Sequence, residues 1–442
     1  MKTVLVLLDG LGDRSYPSLG DRTPLEAAAT PNLDRLAALG CNGLYHASVP
    51  GQCLPSETAH YLMFGYDMEA FPGRGLLEAA GFGLSFGGAD VLCLAHLFHA
   101  DPDAEDGPLV CRELWKRLRA GEDELRSLYE DLTPYESSGI VFRLHRARGN
   151  EGILAMSGPV SPFVSDSDPM AAGKPMARAV PLVPNPEPEN AERTATALNG
   201  FLAHCRRRLR THPVNEGREA SGLPPLNFLA TQRCGRRTRV EPFTERWGVP
   251  GLLIASGPLF GGIAAELGMT FRSVSDGSDP GSDLAERVGM ALEDTRHGFV
   301  HVHTKAPDEA AHRGDPRGKV AVIQSLDRGL EPLMKVLNAS GDLLAAVTAD
   351  HATPCASPLI HSGETVPLVM AGPTVRRDRV ARFDEVSAAA GGLGLLRGKE
   401  LMLLLLNHAD RSALCGQRLG SAERAYVPGD YPAFGERETE EG

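Results

Sequence analysis

At 442 residues the chain exceeds one ordinary hydrophobic core, and about one domain per 150 residues points to two or three. A composition of 42% hydrophobic and 23% charged residues excludes the disordered and membrane classes, and a net charge of -12 excludes a general nucleic-acid binder. Eight cysteines (Cys41, Cys53, Cys93, Cys111, Cys205, Cys234, Cys355 and Cys415), with no CxxC pair, fit a reduced cytoplasmic protein.

In chain order, TVLVLLDG (3–10) reads as a buried strand ending at Asp9, too short for a signal peptide and lacking its cleavage site. TPNLDRLAALG (30–40) reads as a helix with proline at its start and glycine at its end. In CLPSETAHYLMFGYD (53–67), Ser56 stands before a short apolar helix, either as its N-cap or as a nucleophile at its positive end. The segment FPGRGLLEAAGFGLSFGGADVL (71–92) opens a stretch of different character, richer in proline, arginine and charge; its Gly73, Gly75, Gly81, Gly83, Gly87 and Gly88 read as turn residues. Within that stretch an amphipathic helix is expected near 189–210, and the basic runs CRRRLRTHPVNEGR and RCGRRTR are either solvated faces or contacts for an anionic substrate.

From about residue 246 the α/β rhythm returns. GLLIAS (251–256) is a strand, LFGGIAAELG (259–268) a helix, GFVHVHTKAPD (298–308) a strand and loop, and KVAVIQSLDRGLEPLMKVLN (319–338) one helix. LLAAVTADH (343–351) and VPLVMAGP (366–373) are further strands, and LMLLLL (401–406) falls well short of the about 18 residues a bilayer span needs. The expected fold class is α/β: a mainly parallel sheet flanked by helices, built from 1–72 and 246–442 and interrupted by a smaller inserted α+β domain at 73–245.

Three strand ends finish in metal-ligand residue types: Asp9, Asp308 with His312, and the adjacent Asp350 and His351, followed by His361. Strand ends in open parallel sheets converge on one edge, and an Asp and a His at i and i+4 share one face of a helix. Mixed carboxylate and imidazole donors suit Mn, Zn, Fe or Mg, and a pair of such ions is the usual clamp for phosphoryl transfer. A serine hydroxyl is a poor nucleophile at its free pKa, so Ser56 would need such an ion. GDPRGKV (314–320) is one residue short of a phosphate-binding loop and carries Val320 where that loop needs a hydroxyl.

Five stretches then make one pattern: LLDGLGDRSYPSLGDRTPLEAAATPNLDRLAALG, PSETAHYLMFGYD with GRGLLEAAGFGL, VSDSDPM, FVHVHTKAPDEAAHRGDPRGKV and VTADHATPCASPLIHSGETVPLVMAGP. In this order, over nearly the whole chain, they resemble the archaeal-type cofactor-independent phosphoglycerate mutases of the alkaline phosphatase superfamily. The resemblance implies an alkaline-phosphatase-like core with one divalent ion on Asp9, Ser56, Asp350 and His351 and another on Asp308, His312 and His361. Mn2+ is the first choice of ion, with Mg2+, Zn2+ or Co2+ as alternatives. The implied chemistry is a phosphoserine relay through Ser56 that moves a phosphoryl group between the 3- and 2-oxygens of glycerate without bisphosphoglycerate. The implied partner is a small phosphorylated metabolite, with no nucleic acid and no membrane, and the oligomeric state is left open.

The chain departs from that family's pattern on the substrate side. Gly261 and Gly262 stand where a lysine is expected, and VLCLAHLFHADPDAED replaces an arginine-bearing stretch after GADV. Arg14, Arg74, Arg218 and Arg233 are the remaining candidate anion contacts, or else ordinary surface charge; Asp166 and Asp168 are either a general acid and base or an acidic turn. Two other readings stay open: a phosphatase or homoserine kinase-like phosphotransferase with another substrate, and a silent metabolite-binding protein.

Overall fold

The computed structural model describes residues 1–339, 341–413, 416 and 435; Cys415 and the rest of the tail of the segment 246–442 lie outside them. The chain divides into two compact units, Met1–Phe71 with the chain from Val240 onward, and Pro72–Arg239.

The first unit is built on an eight-stranded sheet in the order Thr270–Ser273, Gly251–Ala255, Phe299–Thr304, Lys2–Leu8, Leu343–Thr348, Val366–Ala371, Cys41–His46, Gly394–Arg397. Only Val366–Ala371 runs antiparallel to its neighbours, so the sheet is mainly parallel. The central strand Lys2–Leu8 is apolar without alternation because both its faces are covered, and Val4 to Leu8 are wholly buried. The helix Pro31–Leu39 starts on its proline as expected. The stretch 319–338, read as one helix, lies in two: Pro316–Gly329 and Glu331–Ala339. Pro332 explains the break, because it has no N–H to continue the first helix and is tolerated only in the opening turn of the second. The helix Phe243–Trp247 belongs to this unit, with Phe243 buried against Phe64 and Phe299, so the first unit resumes slightly earlier than the 246 expected.

The second unit is an antiparallel sheet of Leu109–Glu113, Val91–Pro102, Glu151–Ser157, Ile140–Arg148 and Tyr135–Ser137, with Phe228–Arg236 also paired to Val91–Pro102. The helix Pro188–Arg210 lies on it, and Ala191, Ala195, Leu198, Leu202, Cys205 and Leu209 form the helical-period stripe that is buried. The glycine-rich segment holds a helix, Arg74–Gly81, so Gly75 and Gly81 are not turn residues. Gly75 is needed for close approach: a Cβ there would lie 2.5 Å from Cys93 Cα. Among the described residues, no helix is long and apolar enough to cross a membrane, and the cysteines are free thiols.

Candidate metal centre

Register explains why distant ligand types meet. Leu8 pairs with Thr304, and Leu7 with Thr348, so the carboxyl ends of three adjacent parallel strands are level. Asp9 follows the first end, the helix Ala306–His312 starts just after the second, and Asp350 and His351 follow the third. The helix places His312 Nε2 3.2 Å from Asp308 Oδ2, one turn apart, while His361 Nε2 reaches to 3.6 Å from Asp308 Oδ1. Ligand atoms of Asp308, His312 and His361 all lie within 4.8 Å of one another, and so do those of Asp9, Asp308 and His351. Asp308 thus reaches both groups, where the family resemblance assigns it to one.

His351 Nε2 is the meeting point of the other group. It lies 3.4 Å from Asp9 Oδ1, 3.2 Å from Asp350 Oδ2 and 3.0 Å from Ser56 Oγ. Ser56 is not the helix cap that the sequence allowed. Pro55 occupies the N-cap, and Ser56 is the first residue of the helix Ser56–Met63, so its hydroxyl is not engaged in capping and turns to His351. It still stands at the positive end of the helix.

The charges are unbalanced without a cation. Burial, then the neighbouring Asp350 and Asp308, push the Asp9 carboxyl well above its ordinary range, and burial raises Asp350 as well. Asp308 is partly buried, but its bond to His312 and the surrounding imidazoles outweigh that and hold it well below the usual range. Burial keeps the His351 ring neutral. Asp9 Oδ1 and Asp350 Oδ2 are buried with no hydrogen-bond partner among the described residues, although each faces His351 Nε2. Orphaned carboxylate oxygens beside an imidazole nitrogen are costly in a dry site and are what a divalent ion would satisfy, so these residues fit one.

Side chains outside the expected set hold the ligands in place. His303 Nε2–H donates to Asp9 Oδ2 at 3.1 Å, leaving Oδ1 for the centre. The Gly10 and His351 N–H groups donate to Asp350 Oδ1 at 3.2 and 3.0 Å, leaving Oδ2. His361 Nδ1–H donates to Leu54 O at 2.8 Å, which aims Nε2 at Asp308, and His60 Nδ1–H donates to Ser56 O at 2.7 Å. Lys319, wholly buried, donates to Gly10 O, Gly12 O, Thr353 O and Asp13 Oδ2 at 2.8, 3.1, 2.9 and 3.0 Å, tying together the loops that follow two ligand-bearing strands. Lys319 is the lysine of GDPRGKV, which fails as a phosphate loop; it binds the protein's own carbonyls. No spacing rule marks His303 or Lys319, since their partners are fixed by tertiary register.

The candidate substrate residues fall in both units. In the first, Arg14 is exposed and paired with Glu364 at 2.7 Å. Gly261 and Gly262 are buried in the helix Pro258–Glu266 and carry no cation; a Cβ on Gly257, just before that helix, would lie 3.9 Å from Lys305 Nζ, a residue the motifs did not single out. In the second unit, Arg74 opens its helix and donates to Glu78 at 2.7 Å. Arg218 is corrected to a structural role: it is buried and bonds Glu124, Pro224 O and Arg119 O. A bulge sets Arg233 and Cys234 opposite Cys93, with Arg233 at φ 58° and its N–H donated to Asp166 at 2.6 Å. Asp168 accepts from Gln232 Nε2 at 2.7 Å and Met170 N at 2.8 Å, and burial raises both carboxyls.

The Metalloenzyme superfamily profile matches residues 1–408. A 2,3-bisphosphoglycerate-independent phosphoglycerate mutase of Methanocaldococcus jannaschii is 38% identical, covering 97% of this chain and 98% of that one. One from Methanopyrus kandleri is 36% identical, covering 93% and 97%. The solved cofactor-independent phosphoglycerate mutase of Thermoplasma acidophilum has a TM-score of 0.61 at 30% identity, covering 92% of this chain and 100% of its own. Relatives this similar along nearly their whole length make the chain a member of the archaeal-type 2,3-bisphosphoglycerate-independent phosphoglycerate mutase family, within the metalloenzyme superfamily.

Proposed function

We propose that the chain is an isomerase that interconverts 3-phosphoglycerate and 2-phosphoglycerate through a phosphoserine at Ser56, with two divalent ions. The observation that carries this reading is the convergence of Ser56 Oγ, Asp9 Oδ1 and Asp350 Oδ2 on His351 Nε2, at 3.0, 3.4 and 3.2 Å. Asp9, Ser56, Asp350 and His351 would hold one ion, and Asp308, His312 and His361 the other. Bound ions supply the positive charge that lowers a hydroxyl pKa and neutralises phosphoryl oxygens. The donor set of carboxylates and imidazoles suits Mn2+.

In this reading Ser56 gives up its proton and its Oγ attacks phosphorus, the bond from phosphorus to the 3-oxygen breaks, and the 3-oxygen takes up a proton. The phosphoserine stands at a helix N-terminus, where first-turn N–H groups and the dipole favour an anion. The glycerate 2-oxygen then gives up its proton and attacks phosphorus, the bond to Oγ breaks and Oγ is reprotonated, so no bisphosphoglycerate is consumed. In the first unit, Arg14 and Lys305 are the cations we assign to anionic groups of the substrate; in the second unit, Arg74 and Arg233 are candidate anion contacts and Asp166 and Asp168 candidates for moving protons.

The buried Gly261 and Gly262, in place of a lysine, favour a second reading in which the same relay serves another phosphorylated substrate as a phosphatase or phosphotransferase. The experiment is to incubate Mn2+-loaded protein with 3-phosphoglycerate, follow 2-phosphoglycerate and free phosphate, and map phosphorylation in acid-quenched samples. Formation of the isomer with phosphate on Ser56, both lost in Ser56→Ala, is expected. Phosphate release without the isomer would overturn the mutase reading, and turnover retained in Ser56→Ala would overturn the nucleophile.

A further inference from the structure

We propose that Thr353 is a positioning residue whose single hydroxyl couples the two ion sites, an inference that rests on the two-ion reading above. Thr353 is wholly buried, two residues beyond His351. Its Oγ1 lies 2.8 Å from Asp308 Oδ1 and 3.1 Å from His351 Nδ1, so it touches one ligand of each set. The proton order follows from the donor inventory. An ionised carboxylate only accepts, so the threonine hydroxyl donates to Asp308; its lone pair then accepts from His351, which requires the proton of the neutral imidazole to be on Nδ1. Nε2 is left as the lone pair that faces Ser56, Asp9 and Asp350.

The rest of Thr353 is pinned, so the hydroxyl has little freedom to turn elsewhere. Its N–H donates to Gly12 O at 2.9 Å, and its carbonyl accepts from Lys319 at 2.9 Å. Gly10 closes the other side: it sits at φ 66°, and a Cβ there would lie 2.7 Å from Thr353 Oγ1 and 2.8 Å from Asp308 Oδ1. Only glycine allows both that backbone and that approach. An ion at either site therefore favours the same hydroxyl orientation. An ion on His351 Nε2 demands the proton on Nδ1, and that sends the threonine proton to Asp308, fixing the orientation of the carboxylate shared by the other site. Without the hydroxyl, His351 is free to carry its proton on Nε2, where it cannot ligate.

The test uses the full chain stripped of metal, titrated with Mn2+ by calorimetry and electron paramagnetic resonance, as wild type, Thr353→Val and Thr353→Ser. Loss of an orienting group of this kind costs about 10–100-fold in ion affinity. We expect that loss at both sites in Thr353→Val, together with loss of any cooperativity between them, and near wild-type binding in Thr353→Ser. Two ions bound to Thr353→Val with unchanged affinities would overturn the role of Thr353 alone; a wild type that takes up fewer than two ions would overturn the two-ion reading and the coupling with it. A second readout needs no variant: nitrogen NMR of the metal-free wild type should find the His351 proton on Nδ1, and a proton on Nε2 would overturn the proposal even if Thr353→Val does not fold.

Discussion

His303 Nε2 lies 3.1 Å from Asp9 Oδ2, and neither side chain reaches solvent to any useful extent. The bond orients the carboxylate so that Oδ1, not Oδ2, faces His351. His303→Leu fills similar space without a donor and leaves Asp9 free to rotate. We expect Mn2+ affinity to fall by about 10–100-fold while the fold is kept. Calorimetric titration checks this, and affinity unchanged within error would mean that His303 is only packing.

Much of the centre is legible in the sequence, because strand ends in a parallel sheet converge on one edge and Asp9, Asp308 and Asp350 each follow an apolar run. What was hidden depends on register and burial. Ser56 reads in the sequence as either the cap of its helix or a nucleophile at the helix's positive end, and only the fold separates the two: Pro55 takes the cap position and leaves the hydroxyl to His351. Arg218 reads as an anion contact or as ordinary surface charge, and the fold makes it neither, turning the side chain inward onto Glu124. No spacing rule singles out Thr353, His303 or Lys319; Asp308, Asp9 and Gly10, which they bond, lie tens to hundreds of residues away, and only the paired strands bring them together.

Ion uptake should release protons. Burial raises the Asp9 and Asp350 pKa values in the ion-free protein, so as pH falls they take up protons sooner than ordinary carboxyls do, and a carboxylate ligand must give those protons up. Asp308 is already ionised and His351 already neutral, so neither adds to the count. The sign is therefore fixed: affinity rises with pH. Titrations in buffers of different protonation enthalpy, at about pH 6 and about pH 8, should show net proton release that shrinks at the higher value. Affinity that falls with rising pH would contradict the raised carboxyls.

His301 makes a prediction for stability. It is wholly buried beside His60 and Phe64, both ring nitrogens lack hydrogen-bond partners among the described residues, and burial, then His60, hold its pKa well below the ordinary value. The unfolded chain binds a proton there near about pH 6.5, whereas the folded chain does not, so this contribution to stability is present above that pH and lost as pH falls. The loss is about 1.4 kcal/mol per pH unit below about 6.5. His301→Leu removes it. Comparing variant and wild type at each pH cancels the opposite trend of Asp9 and Asp350, and the urea midpoint of the variant should gain on wild type as pH drops. A difference that does not change with pH would count against a neutral buried His301.

Lys319 tests how the two ligand-bearing loops are held. Its ammonium is wholly buried among three carbonyls and the Asp13 carboxylate, and Asp13 in turn accepts from Arg14 N at 2.7 Å and Tyr16 OH at 2.6 Å. Lys319→Met keeps the length of the side chain but strands a buried carboxylate and three acceptors, which costs about 3–5 kcal/mol. Asp13→Asn removes the charge that would be stranded. If the pair acts as a unit, Lys319→Met with Asp13→Asn should therefore cost clearly less than the sum of the two single changes, read from unfolding free energies. Ion affinity should also fall in Lys319→Met, because Gly10 adjoins Asp9 and donates to Asp350, and Thr353 bonds His351. Strict additivity would mean that Lys319 acts through the carbonyls rather than through Asp13, and unchanged ion affinity would separate this buried network from the metal centre.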